Sequence, residues 1–169
     1  IMSHFNDISN LQTNIIRQPG YQYVGTSHVV ITGSKFHYEP PQGSQYVVYR
    51  GSFMQGVNYE GLESSSASST SLVNYTLQYS DDDVTYSDFL DRKMSVGDSI
   101  ANQEEFHIIS PFFILPTWSG KRYVRLIGRA YSSSTSAELH TNYKWDGSTD
   151  SNNRSLYYKD VMFSIESIM

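Results

Sequence analysis

The stretch "SQYVVYRGSFMQGV", residues 44–57, limits the fold more than any other part of the chain. It alternates with period two, so it reads as a strand whose successive side chains point to opposite faces. Val47, Tyr49, Gly51 and Phe53 share one face, and Tyr46, Val48, Arg50 and Ser52 share the other. Both faces carry large apolar groups. Such a strand is covered on two sides, by a second sheet and by a partner, or lies at the centre of a sandwich.

The rest of the chain repeats the pattern in shorter pieces. "SHVVITGSKFHYEPP" reads as a strand, a turn at Gly33–Ser34, and a strand ended by Pro40–Pro41. "LVNYTLQYSDDDVTYSDFL" alternates Val73, Tyr75, Leu77 and Tyr79 with polar residues, turns at Asp81–Asp83 and returns, which predicts a hairpin. "EEFHIISPFFIL" is a further extended apolar segment. "RYVRLIGRAY" and "AELHTNYKW", joined by "SSSTS", predict a second hairpin. "DVMFSIESIM" offers Val161, Phe163, Ile165 and Ile168 to the core, and the low-complexity segment "EGLESSSASSTS", residues 60–71, reads as an exposed loop.

Near the start, Phe5, Ile8, Leu11 and Ile15 follow a helical spacing. They predict an N-terminal arm or the end of a stalk over residues 1–20, broken at Pro19–Gly20. About eight to ten short strands, separated by turn signals and without an internal repeat, predict an all-β fold. The expected architecture is a two-sheet antiparallel jelly-roll sandwich over residues 21–169.

Composition narrows the function classes. A chain of 169 residues suits one domain with a real core. Its net charge of −5 argues against nucleic acid, whose phosphates need a basic surface. The absence of cysteine removes disulfides, thiolate metal sites and Cys nucleophiles. No run reaches the length of a membrane span and no signal peptide is visible, so membrane insertion is not expected. Ile1 precedes Met2, which is compatible with a piece of a longer protein.

Local motifs for catalysis are missing. There is no G-x-S-x-G elbow, and His4, His28, His37, His107 and His140 form neither H-x-x-x-H nor H-x-H. The expectation is a non-enzyme without cofactor or metal. Clustered carboxylates at Asp81–Asp83, or Asp146, Asp150 and Asn152, have the chemistry to hold calcium. The first run sits between two alternating segments and reads as a turn; the second lacks a bidentate Glu and reads as a loop. Asn74-Tyr75-Thr76 and Asn153-Arg154-Ser155 match the glycosylation pattern, which matters only in a eukaryotic secretory pathway.

Two groups of residues are candidates for recognition. Tyr143, Trp145 and Asp146, with Tyr157 and Tyr158 nearby, have the rings and polar groups that bind sugars. The same aromatics would fill a core or a subunit interface, which is the simpler reading. A monomeric carbohydrate-binding module of an extracellular protein is the alternative they support. In "RYVRLIGRAY", Val124, Leu126, Gly128 and Ala130 make a small apolar face. Tyr123, Arg125, Ile127, Arg129 and Tyr131 make the other, mixing aromatics with guanidinium groups as interfaces do. Tyr123, Arg125, Arg129 and Tyr131 are therefore the candidate subunit interface.

"TWSGKRYVRLIGRAYSSSTSAELHTNYKWDG" resembles a pattern in C-terminal modules of marine phage and algal-virus structural proteins. The matching positions are Trp118, Lys121, Leu126, Arg129, Tyr131, Leu139, His140, Tyr143, Trp145, Asp146 and Gly147. Upstream, "SKFHYEPPQGSQYVVYRGSF" is similar to the early strands of those modules. The resemblance implies a C1q- or TNF-like jelly roll. It also implies a homotrimeric, non-catalytic head on a fibre or capsid, at the virion surface or extracellular, that attaches to a host glycan or receptor. The Ser-rich loop and the Asp81–Asp83 turn depart from the pattern, so the apical surface does not transfer.

Overall fold

A computed structural model describes residues 10–17, 20–57, 68–101, 106–135, 137–141 and 160–169. The strands run in chain order as β1 (Gln12–Ile16), β2 (Gly20–Val24), β3 (Val29–Val30), β4 (Phe36–Tyr38), β5 (Tyr46–Val57) and β6 (Ser68–Ser80). They continue as β7 (Ser87–Ala101), β8 (Phe106–Ile109), β9 (Phe112–Pro116), β10 (Arg122–Ala130), β11 (Ala137–Thr141) and β12 (Val161–Ile168). They form two antiparallel sheets packed as a sandwich, a layout consistent with a jelly roll. The seven-stranded sheet has the order β1-β12-β5-β11-β2, with β8 and β9 also on β5. The five-stranded sheet has the order β3-β10-β6-β7, with β4 also on β10.

Alternation decides which face each strand buries. Val47, Tyr49 and Phe53 of β5, and Val161, Phe163 and Ile165 of β12, point inward from the larger sheet. Val73, Tyr75 and Leu77 of β6, and Val124, Leu126 and Ala130 of β10, meet them from the smaller one. The two faces of β5 and β10 divide as their sequences predict. The hairpin β6–β7 also forms as expected, turning at residues 81–85.

The core includes one polar device. The chain between β3 and β4 turns at Gly33, whose φ of +83° lies in the left-handed region glycine favours. That turn interrupts the strand opposite β10 at Leu126. The Ser34 hydroxyl fills the gap, accepting from Leu126 N and donating to Leu126 O, both at 3.1 Å. Ser34→Ala is expected to cost about 1–3 kcal/mol, because buried backbone groups lose a partner. Urea denaturation of the two proteins would measure it.

Four expectations are corrected. Strands β10 and β11 do not form a hairpin. One edge of β10 is taken by β6 and the other by β3 and β4, so no edge is left for β11. The chain crosses instead to the other sheet through the turn Ser133–Thr135, and β11 pairs with β2 and β5. At that corner Ala130 N donates to Gly25 O at 2.7 Å, tying the β10–β11 crossing to the β2–β3 crossing.

The helical stripe fails where it is described. Gln12–Ile16 is an edge strand on β12, and Leu11 and Ile15 stay exposed at 44% and 49%. Pairing with β12 outweighs a weak local periodicity. Residues 1–9 lie outside the described residues. Ile168 is exposed, because strand parity places Ser167 inward, where its hydroxyl bonds Tyr38 Oη at 2.6 Å. Finally, Ser68–Ser71 belong to β6 rather than to a loop, paired with Asp98–Ala101.

Candidate functional site

The outer face of the five-stranded sheet collects polar groups from four strands and one turn. Register sets the rows. His37, Tyr123 and Ser80 align across β4, β10 and β6; Arg125, Gln78 and Asp88 align across β10, β6 and β7. Val30, Ile127, Thr76 and Lys93 form the next row, and Arg129, Asn74 and Ser95 the last.

Arg125 is the most constrained cation on this face. Its guanidinium lies 3.4 Å from the centre of the Tyr86 ring, and its Nε donates to Gln78 Oε1 at 3.0 Å. Gln78 Nε2 in turn donates to Asp88 Oδ1 at 2.9 Å. Tyr86 donates its hydroxyl hydrogen to Asp83, which also takes a 2.9 Å contact from Lys35 Nζ. His37 stacks on Tyr123 at 4.0 Å, with the rings within 3° of parallel. Burial pushes the Tyr86 phenol up to about 12, with the Asp83 hydrogen bond adding to it. Hydrogen bonds from Tyr86 and then Lys35 hold the Asp83 carboxyl below its usual range. At neutral pH the turn therefore carries an ionised Asp83 and a neutral, donating Tyr86.

The three aspartates of the turn are spent on separate partners. Asp82 Oδ1 accepts from Thr85 N, Val84 N and Ser80 Oγ, and those bonds lower its pKa, the Thr85 one most. Asp83 serves Lys35 and Tyr86, and Asp81 pairs with Arg122 Nε at 3.1 Å. Each carboxylate is engaged by its own partners, and the run forms a turn. Among the described residues no group of three or more His, Asp or Glu is placed to hold a metal ion.

Three of the four candidate interface residues share this face: Tyr123, Arg125 and Arg129. Tyr131 lies just past the end of β10 and is 71% exposed. The candidate ligand residues Tyr143, Trp145 and Asp146 lie outside the described residues, as do Asp150, Asn152 and Asn153. Asn74 sits mid-strand, half-buried, accepting from Ser95 Oγ at 2.6 Å. Of the matched positions in the viral pattern, Trp118 is structural. Its ring meets Tyr38 edge-on at 6.2 Å, and Nε1 donates to Tyr38 O.

Sequence reasoning missed Gln78, Tyr86, Asp88, Lys93 and His28. Gln78, Asp88 and Lys93 join the site through the register of β6 on β10 and the bulged pairing of β7, His28 through the pairing of β3 with β10, and Tyr86 through its contact with Arg125. Two hollows of about 360 and 450 Å³ lie along the face, sharing His28 and Asp88.

The outer face of the seven-stranded sheet is different in kind. Val48 sits between Ile114 and Glu166, Ser52 beside Met162, and Met54 beside Ile108. Ile15 follows Met162 on β1. Ile108, Phe112, Ile114, Met162 and Ile15 are 40–63% exposed. The charged groups in their midst, Arg50 and Glu166, form an ion pair with each other.

No protein-family model and no curated protein sequence matches the chain. Among solved structures it is similar to the enzymatically active domain of tailspike protein 4 of bacteriophage CBA120, at 12% sequence identity and a TM-score of 0.31. The match covers 80% of this chain and 19% of that one. A likeness of this degree transfers neither a site nor an activity.

Proposed function

We propose that the chain is a non-enzymatic structural module of a virion: a trimeric fibre head or capsid-associated domain used in assembly and host attachment. The C1q/TNF-like arrangement and the virion-surface or extracellular location come from the resemblance of residues 118–147 to viral head modules. One observation carries the assembly half. The outer face of the seven-stranded sheet exposes Ile108, Phe112, Ile114, Met162 and Ile15 around the centre of β5, and the charged residues between them, Arg50 and Glu166, pair with each other within the chain. Interface cores have this character, apolar and free of unpaired charge. A second copy of the chain is the fitting occupant, because the charges described at the centre of the face, Arg50 and Glu166, are already paired with each other.

Light scattering across concentrations tests the reading, with a trimer as the expected result. Ile114→Glu places a charge in the apolar face and is expected to raise the dissociation constant about a hundredfold or more. The thermal midpoint of the dissociated subunit should stay near that of the parent. A concentration-independent monomer would sink the reading. If Arg129→Ala dissociates the assembly and Ile114→Glu does not, the contact runs through Tyr123, Arg125, Arg129 and Tyr131 instead. A monomeric carbohydrate-binding module is the second reading, favoured by the polar hollows of the five-stranded sheet.

A further inference from the structure

Among the described residues, the polar hollows carry more donors than acceptors engage. Arg125 and Arg129 lie four residues apart on one face of β10, about 13 Å at the usual strand rise. Arg125 bonds through Nε only. Among the described residues its terminal nitrogens have no acceptor, and Arg129 has neither a hydrogen bond nor an ion pair. Asn74 has its carbonyl oxygen taken by Ser95, which leaves its amide nitrogen to donate. Among the described lining residues, Lys93 and the two arginines outnumber the carboxylates, of which Asp88 is the one present, although the whole chain is acidic.

We infer that this groove binds a saccharide bearing a carboxylate. The Arg129 guanidinium would hold the anionic group through charge-assisted hydrogen bonds, while the terminal nitrogens of Arg125, in the neighbouring hollow, would donate to a second acceptor of the saccharide. Asp88 decides between ligand classes. It is 3.8 Å from Lys93 and bonded by Gln78, yet its side chain remains 44% exposed. A simple anion would be repelled there. A sugar hydroxyl would donate to it while a neighbouring hydroxyl accepts from Asn74 or Arg. Ile127, 6% exposed, gives the floor an apolar surface for the C–H face of a ring. A neutral sugar would leave the arginines unpaired. The two hollows fall within the usual size range of small-ligand sites. The inference extends the attachment half of the proposed function and does not need the trimer.

Calorimetric titration of the full chain with sialyllactose, a hyaluronan tetrasaccharide, lactose and inorganic phosphate tests it. At least one acidic saccharide is expected to bind, more weakly as salt rises. Arg129→Ala should weaken that binding about tenfold or more. Asp88→Asn should weaken the saccharide and leave phosphate unchanged or tighter. Both side chains are exposed, and an unchanged thermal midpoint would show that each variant folds. The idea is overturned if neither acidic saccharide binds, if lactose binds as well as they do, if phosphate matches them, or if Arg129→Ala has no effect. Light scattering on the same samples separates the two proposals. Binding by a monomer upholds the groove while the trimer fails, and a trimer without binding overturns the groove alone.

Discussion

Replacing Phe163 with alanine is expected to destabilise the domain by about 3–5 kcal/mol, a large share of the stability of most single domains. Phe163 is fully buried and fills the space between the sheets from the middle of β12. Its ring stacks on Phe53 at 5.6 Å and tilts against Tyr49 at 6.2 Å. It also explains a glycine in the centre of the longest strand of its sheet. A Cβ on Gly51 would lie 2.6 Å from two atoms of the Phe163 ring and 3.3 Å from Pro111. Gly51→Ala should therefore cost about 1–3 kcal/mol through overpacking. Because the ring is the obstacle, Gly51→Ala combined with Phe163→Leu should cost less than the two changes summed. Urea denaturation of the four proteins gives the cycle, and strict additivity would show that the ring is not what excludes a side chain at position 51.

Gln55→Ala is the second substitution with a large expected effect, about 2–4 kcal/mol. Gln55 is 2% exposed and spans the sandwich. Its Oε1 accepts from Tyr75 Oη at 2.5 Å, and its Nε2 donates to Ser71 Oγ at 3.2 Å and Val96 O at 3.1 Å. Alanine would strand the tyrosine hydroxyl in a place where burial already pushes its pKa far above the ordinary 10.0. Gln55→Leu with Tyr75→Phe removes both partners of the Tyr75 bond and restores the volume, leaving only Ser71 Oγ and Val96 O without the amide, and should recover part of the loss, since an unmade buried hydrogen bond costs more than an absent one. Equal losses from the single and paired changes, measured by thermal unfolding, would show that volume rather than the hydrogen bonds sets the cost.

Much of this fold is written in parity. The inner and outer faces of β5, β6 and β10 follow from alternation alone, and so does the grouping of Tyr123, Arg125 and Arg129. Parity is silent on which strand pairs with which. The "SSSTS" segment is as suitable for a hairpin as for a crossing, and only the occupied edges of β10 decide it. The same limit hid Asp88 and Lys93 from the site, because a bulge in β7 near Asp91, with φ of +60°, shifts their register on β6. Ile168 misled by its chemistry: its apolar side chain suggested the core, while its place in the strand put it outside.

The position of β12 has a consequence for how the protein is made. It inserts between β1 and β5, joining segments such as Arg50 and Glu166 that lie 116 residues apart. The larger sheet therefore cannot close until the segment Val161–Ile168 has left the ribosome. Before that, β1 has no strand to pair with and β5 lacks its longest ladder. Non-local pairing of this kind is slow, and unpaired edges invite association with other chains. Nascent chains stalled before residue 161 should thus be the species most dependent on chaperones.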